Sequence, residues 1–407
     1  MTPAAPLRRW LSIVGLGEDG LDGLSPAACR LLTQAELVVG GRRHLALVGD
    51  VTGERLAWPS PPASAFPEIL ARRGTPVCVL ASGDPFFYGI GSSLVSHLDH
   101  DEFLCIPGAS AFSLAAGRLG WALQDCTLVS LHGRVLERIV PYLQHGARIL
   151  ALSWDGATPG KLAALLRDRG LGDSRLTICQ AMGGARERLQ ITTAESFGLT
   201  DIDPLNTTAV EVVAAPGSRV LPLTPGLPDD WFEHDGQITK REVRAITLAA
   251  LAPRQGEVLW DIGAGSGSIG IEWMLRNAAN RAIAVEARKD RAARIARNAA
   301  ALGVPDLEII EGEAPAALAG LRPPDAVFVG GGATDEGVLD ASWARLRKGG
   351  RLVVNAVTLE TQAEITRRFN ATGGDLSCIQ VAHAAPVGGF HAWRPALPVV
   401  QWVAVKP

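Results

Sequence analysis

The chain has 407 residues, a length that predicts two or three domains. Hydrophobic residues make up 47%, enough for several cores, which excludes disorder as a global description. Lys plus Arg number 39 and Asp plus Glu 42, a formal net charge of −3, which argues against a nucleic-acid or anionic-membrane binder relying on bulk positive charge.

In chain order, MTPAAPLRRWLSIVGLGEDG has too short an apolar stretch for a secretory signal. LSIVGLG reads as a strand, followed by a helix around Ser25 to Ala35 and a strand ELVVGG. PVCVLASGD, FLCIPGAS and CTLVSLHG read as further strand ends, with a lobe boundary near residues 106–113. Pro216, Pro222, Pro225 and Pro228 then mark a domain junction, because each proline lacks an N–H and fixes its φ. Beyond it, EVLWDIGAGSGSIGIEWMLR, RAIAVEA, LEIIEGEA, PDAVFVGGG and GGRLVVNAVTLE are successive strand ends separated by helical stretches. LSCIQVAHA and LPVVQWVAV suggest a closing pair of strands.

The alternation predicts α/β architecture with parallel sheets on both sides of the junction. The expected domains are 1–221, with lobes of about 1–108 and 109–221, a Pro-rich linker over 222–232, and 233–407. The stretch from Leu376 to Trp393 is free of Asp, Glu, Lys and Arg but too broken by polar residues to span a membrane. Six scattered cysteines with no CxxC pair read as small core residues rather than a disulfide or zinc framework. His97 and His100 lack a third ligand, so no metal is expected. The reading is a cytoplasmic protein.

The most specific local signal is Asp261-Ile-Gly263-Ala264-Gly265-Ser266-Gly267-Ser268, at the end of an apolar strand. Glycines at alternate positions let the backbone turn tightly and approach a ligand, and Ser268 is expected to cap the next helix. Gly265-x-Gly267-x-x-Gly270 also fits the dinucleotide pattern, which would place a pyrophosphate on the helix N-terminus. Asp261 at the mouth of the loop would repel phosphate and favour S-adenosylmethionine, which carries an ammonium and a sulfonium. Glu286, ending the next strand, can accept from ribose hydroxyls of either ligand, and a bare turn without a ligand is the third reading.

DGQITKREVRA, LWDIGAGSGSIGIEW, EGEAP, PDAVFVGG and GGRLVVNAVTLE together resemble the precorrin-8w decarboxylase/methyltransferase domain, over about Glu233 to Pro407. The resemblance implies a Rossmann-like class I methyltransferase fold. It implies an S-adenosylmethionine site lined by Thr239, Asp261, Gly263, Ala264, Gly265, Ser266, Gly267, Glu286 and Ala314. Asn355, Thr358 and Glu360, in NAVTLE, would face substrate as catalytic candidates. Gly330-Gly331-Gly332-Ala-Thr-Asp-Glu departs from the family's GGSGG and affects the substrate loop.

In the first half, Gly15-Leu-Gly17-Glu-Asp-Gly20, Ser82-Gly83-Asp84-Pro85 and Pro107-Gly108-Ala109-Ser110 close three strands. From the residues alone, plain turns and a cleft for a cationic ligand are equally open. GLGEDG, VVGGRRHL, ASGDPFFYGIG, IPGASAFSLAAGRLGW and VSLHGR, in that order, resemble the tetrapyrrole methylases over about Leu11 to Leu221. That implies two α/β lobes in which Gly83, Asp84 and Ser110 touch the donor and the Gly15–Gly20 loop, with Gly17, faces the substrate. The two halves in this order resemble the fused decarboxylating precorrin-6B (precorrin-6Y) methyltransferase family of cobalamin biosynthesis. The resemblance implies methylation at carbons 5 and 15 and loss of carbon dioxide from the ring C acetate. It further implies one S-adenosylmethionine per domain, a precorrin substrate and a homo-oligomer.

A polycarboxylate substrate needs cationic partners. Arg42, Arg43, His44, Arg118, His132 and Arg134 are candidates in the first half, and Lys240, Arg241 and Arg244 in the second. Of these, Arg43, His132 and Arg244 are singled out as substrate-binding. The rival readings are a bifunctional nicotinamide-dependent oxidoreductase and a non-catalytic scaffold.

Overall fold

The computed structural model describes residues 9–407, which divide into two compact units. The second unit comprises Glu137–Leu143 and Leu221–Pro407, and the first comprises the rest of the described chain.

The first lobe of the first unit is a parallel sheet of β1 (Leu11–Leu16), β2 (Leu37–Gly40), β3 (Glu54–Ala57), β4 (Val77–Ser82) and β5 (Phe103–Ile106), ordered β3-β2-β4-β1-β5. Strands of such a sheet are covered on both faces, so β1 is buried at every residue. Alternate side chains feed opposite cores. Leu11, Ile13, Leu37, Val39, Val77 and Val79 pack on one face, and Val14, Leu16, Val38, Cys78 and Leu80 on the other. The expected first helix runs Pro26–Gln34. Ser25 caps it by accepting the Ala28 N–H, and Pro26 sits where no intrahelical N–H is needed.

The second lobe departs from the expected parallel sheet. It contains β6 (Cys126–Ser130), β7 (Arg148–Leu152), β8 (Arg175–Gln180), β9 (Arg188–Thr193) and β10 (Asn206–Glu211), ordered β6-β7-β10-β8-β9. Only β6 and β7 pair in parallel; the other three pairings are antiparallel.

The second unit has β11 (Val258–Ile262), β12 (Arg281–Glu286), β13 (Glu308–Glu311), β14 (Ala326–Val329) and β15 (Arg351–Ala356) in parallel. β16 (Asp375–Ile379) and β19 (Val399–Val405) close the sheet antiparallel, as the closing pair predicts. The hairpin of β17 (Ala382–Val387) and β18 (Phe390–Pro395) between them was not foreseen. Strand order β13-β12-β11-β14-β15-β19-β16 reverses between β11 and β14, and such switch points open a ligand crevice at the carboxyl ends of the strands. Among the described residues, no helix is long and apolar enough to cross a membrane.

The stretch 222–232, expected as a linker, is instead built into the second unit. Leu227 is fully buried, and the Gly226 and Leu227 N–H groups donate to the two carboxylate oxygens of buried Glu272 at 2.7 and 2.9 Å. Pro225 and Pro228 flank this buried pair, while Pro222 to Thr224 stay exposed.

Candidate active sites at the strand ends

In the second unit the glycine loop leaves β11 at the switch point. The Gly263 and Ala264 N–H groups both donate to the Val285 carbonyl (3.0 and 3.2 Å), which fixes the loop on β12. Gly267 lies at φ +76°, and a Cβ there would stand 2.7 Å from the Ile295 side chain, so this turn requires glycine on both counts. The loop also abuts the glycine run after β14, since a Cβ on Gly263 would lie 2.9 Å from the Gly331 nitrogen.

Two expectations are corrected here. Ser268 does not cap the helix Ser268–Leu275; Gly267 holds the cap position without a side-chain bond. The helix is served from beneath by Asp261, whose Oδ2 accepts the Gly270 N–H at 2.9 Å. Asp261 is therefore not at the mouth of the loop: it is 1% exposed, and its Oδ1 has no hydrogen-bond partner. Burial raises its pKa from 3.8 to about 7, the Gly270 bond opposes the rise, and the charge of Glu286 adds to it.

The carboxylate that meets the loop is Glu286. Its Oε2 accepts the Gly265 N–H at 2.8 Å and its Oε1 the Arg288 N–H at 3.0 Å, leaving lone pairs on both oxygens. Buried Ser266 accepts from Asn298 Nδ2 through its carbonyl at 2.9 Å, while its Oγ has no partner. The segment 233–239 runs beside the loop, with the Gln237 carbonyl 3.6 Å from a Cβ built on Gly265. Asn298 pins that segment by bonding the Glu233 N–H and carbonyl (2.8 and 3.0 Å), and Arg291 bonds Asp235 and Gln237. Thr239 is half-buried and Ala314, past β13, packs against the core. The residues suit a donor such as S-adenosylmethionine: a cradle with glycine at alternate positions, an acceptor carboxylate and the orphaned Ser266 hydroxyl.

The three catalytic candidates have structural duties. Asn355 donates to Thr247 Oγ1 at 2.8 Å and accepts from Gln401 at 2.9 Å, so its amide is committed on both sides. Thr358 caps the helix Leu359–Thr372 through the Thr361 N–H, and exposed Glu360 lies in its first turn, where its charge suits the helix dipole. Arg244 is corrected outright as a substrate ligand. It is fully buried, donating to Glu272, Asp229 and the carbonyls of Thr239 and Leu227.

In the first unit three loops converge at the carboxyl ends of β1, β4 and β5. The Gly83 N–H donates to the Leu16 carbonyl and the Gly108 N–H to the Gly83 carbonyl, both at 3.0 Å. Gly83 sits at φ +53°, and a Cβ on it would lie 2.9 Å from Ala109 O and Ser110 Cα. Ser110 caps the helix Ala111–Leu119, and Asp84 Oδ1 accepts the Phe86 N–H at 2.9 Å. The structure thus brings Gly83, Asp84, Ser110 and the Gly15–Gly20 loop to one edge of the sheet.

Arg43 joins this group: it pairs with Glu18 of the Gly15–Gly20 loop and donates to Ser82 Oγ and His44 Nε2, both at 3.0 Å. Burial, then the charge of Arg43, lowers the His44 pKa to about 4, so His44 is neutral and drops out as a cation. Arg118 is engaged by both carboxylate oxygens of Glu187. His132 belongs to the loop after β6, its ring 6.1 Å from that of Trp154, and Arg134 on the same loop lies 5.3 Å over Tyr88. Sequence reasoning missed Glu18, Ser82 and Arg186 as neighbours of Arg43.

Residues 11–198 match the family model of tetrapyrrole (corrin/porphyrin) methylases, and residues 230–406 that of a precorrin methyltransferase domain. A Sinorhizobium protein named precorrin-6Y C(5,15)-methyltransferase [decarboxylating] is 55% identical over 398 residues, covering 98% of this chain and 96% of its own. The chain belongs to that family. Being a precorrin-6Y C(5,15)-methyltransferase family member, it is a methyltransferase, and the oxidoreductase alternative finds no support. Two shorter relatives carry the two positions separately. A cobalt-precorrin-7 C(5)-methyltransferase of Salmonella typhimurium is 33% identical over 44% of this chain and 88% of its own. A probable cobalt-precorrin-6B C(15)-methyltransferase (decarboxylating) of Saccharolobus solfataricus is 38% identical over 34% of this chain and 72% of its own.

Proposed function

We propose that the chain methylates a precorrin twice in cobalamin biosynthesis, the first unit at carbon 5 and the second at carbon 15 with loss of carbon dioxide from the ring C acetate. Each unit uses its own S-adenosylmethionine. The observation that carries this division is the pair of separate strand-end sites, one of converging Gly15, Gly83 and Gly108 loops, the other the Gly263–Gly267 loop beside Glu286. Relatives that each carry one of the two positions support it.

S-adenosylmethionine, when bound, supplies an activated methyl group. The chain's own task is chiefly alignment, which accounts for much of the barrier in such displacements. In the second unit, Gly263, Gly265 and Gly267 let the donor lie against backbone, Glu286 accepts from its hydroxyls, and Ser266 offers a further polar contact. In the first, Gly83, Asp84 and Ser110 form the corresponding wall. A reduced tetrapyrrole carbon is electron-rich, so no side-chain base is assigned. Methylation leaves an imine-like centre in the substrate, which takes up the electrons released with carbon dioxide.

Incubating the chain with precorrin-6Y and donor, followed by mass spectrometry, tests the reading. Gain of two methyl groups with loss of one carbon dioxide is expected; tight NADH binding with no methyl gain would overturn it.

A further inference from the structure

A cavity of about 340 Å³ in the first unit has an apolar wall of Ala46 and Leu47 and a charged wall of Glu18, Arg43 and Arg186. Its groups come from both lobes: Glu18 follows β1, Arg43 follows β2, and Arg186 lies between β8 and β9. The loops carrying Glu18 and Arg186 touch, since a Cβ on Gly184 would stand 2.7 Å from Glu18 Cβ. Glu18, its side chain only 10% exposed, pairs with Arg43 and, at 3.5 Å, with Arg186; Asp203 holds Arg186 from the other side. Ser82 and His44 fix Arg43 from behind. Burial, then the charge of Arg186, pushes the Arg43 guanidinium below its ordinary range, with Asp203 opposing. Two guanidinium groups thus converge on one carboxylate beside an apolar wall.

The glutamate side chain is itself a two-carbon arm ending in a carboxylate, chemically a propionate. We propose that this cavity seats one peripheral carboxylate arm of the substrate on Arg43 and Arg186 together, and that Glu18 occupies those guanidinium groups in its absence. The inference rests on the precorrin reading above. It makes Arg186 a substrate-binding residue and Glu18 an internal competitor, so removing each has an opposite effect. A plain latch between the lobes would respond to both losses in the same direction.

The test measures KM and kcat for each methylation with isotope-labelled donor, the two positions resolved by NMR of the product, for the unaltered chain, Arg186→Gln, Arg186→Lys and Glu18→Gln. Arg186→Gln should raise KM at carbon 5 by about tenfold or more, the scale of a lost charge-assisted contact, with Arg186→Lys intermediate. Glu18→Gln should lower that KM by about two- to tenfold, because the competing pair is partly exposed. KM at carbon 15 should stay unchanged in all three, and thermal melts confirm folding. A rise in KM from Glu18→Gln, or no change from Arg186→Gln, overturns the inference while leaving the functional reading intact. No turnover by the unaltered chain overturns both.

Discussion

Asp261→Asn tests whether the carboxyl beneath the glycine loop is a buried acid or an ordinary carboxylate. The side chain is 1% exposed, has one unpartnered oxygen and accepts one N–H, and Glu286 is a neighbouring charge. Its pKa rises from 3.8 to about 7, burial being the largest cause. The folded state therefore holds the proton more tightly than the unfolded chain. Stability from this group is full below the unfolded value and is lost as pH rises through the folded one, at most about 4 kcal/mol in total. Between about pH 5 and about pH 8.5 the loss is about 2 to 3 kcal/mol. Asparagine keeps the acceptor for Gly270 but has no proton to lose, so the variant should lack this slope. Urea unfolding followed by tryptophan fluorescence is suitable, because Trp260 and Trp273 are fully buried in this unit. The stability of the variant relative to the unaltered chain should grow by that amount across the range, other titrations cancelling. A difference that stays flat with pH would show that Asp261 titrates in the ordinary range and that the burial argument is wrong.

Gly267→Ala forces an alanine to φ +76° and a methyl against Ile295, a combined cost of about 2 to 4 kcal/mol for the strained backbone and overpacking. Calorimetry with S-adenosylmethionine should fall from two equivalents per chain to one, and two retained equivalents would refute a donor on this loop. Arg244→Met leaves Glu272 charged and buried, so chemical denaturation should show a loss of about 3 to 5 kcal/mol, and less than about 1 would mean the pair is not desolvated. Asp84→Ala should abolish methylation at carbon 5 and spare carbon 15 and decarboxylation; NMR of the product detects a failure of that separation.

The strand–glycine–helix openings were legible because each needs a run of apolar residues, a tight turn and a helix start, all local. The pairing of the second lobe was not, because whether β7, β8 and β10 run parallel depends on connections rather than composition. Arg244 was legible and misread. With Thr247, Leu248 and Leu251 it repeats at intervals of three and four on one stripe of the helix Arg241–Leu251, the buried one. The Arg43–Arg186 convergence had no signal in the sequence, since only the packing of two lobes brings those loops together.

Asp261 shows how the error and the recovery arise from one fact. β11 is buried at all five residues, so alternation does not announce which side a carboxylate faces. Yet Trp260 and Ile262 fill one core, which leaves Leu259 and Asp261 for the opposite face. The preference for a positively charged donor over a phosphate therefore cannot come from Asp261, which is buried beneath the loop and whose carboxyl burial holds above its ordinary range. It transfers to Glu286, which bonds the Gly265 N–H of the loop and the Arg288 N–H and keeps lone pairs free, and which a pyrophosphate would have to displace from the Gly265 N–H while meeting its charge.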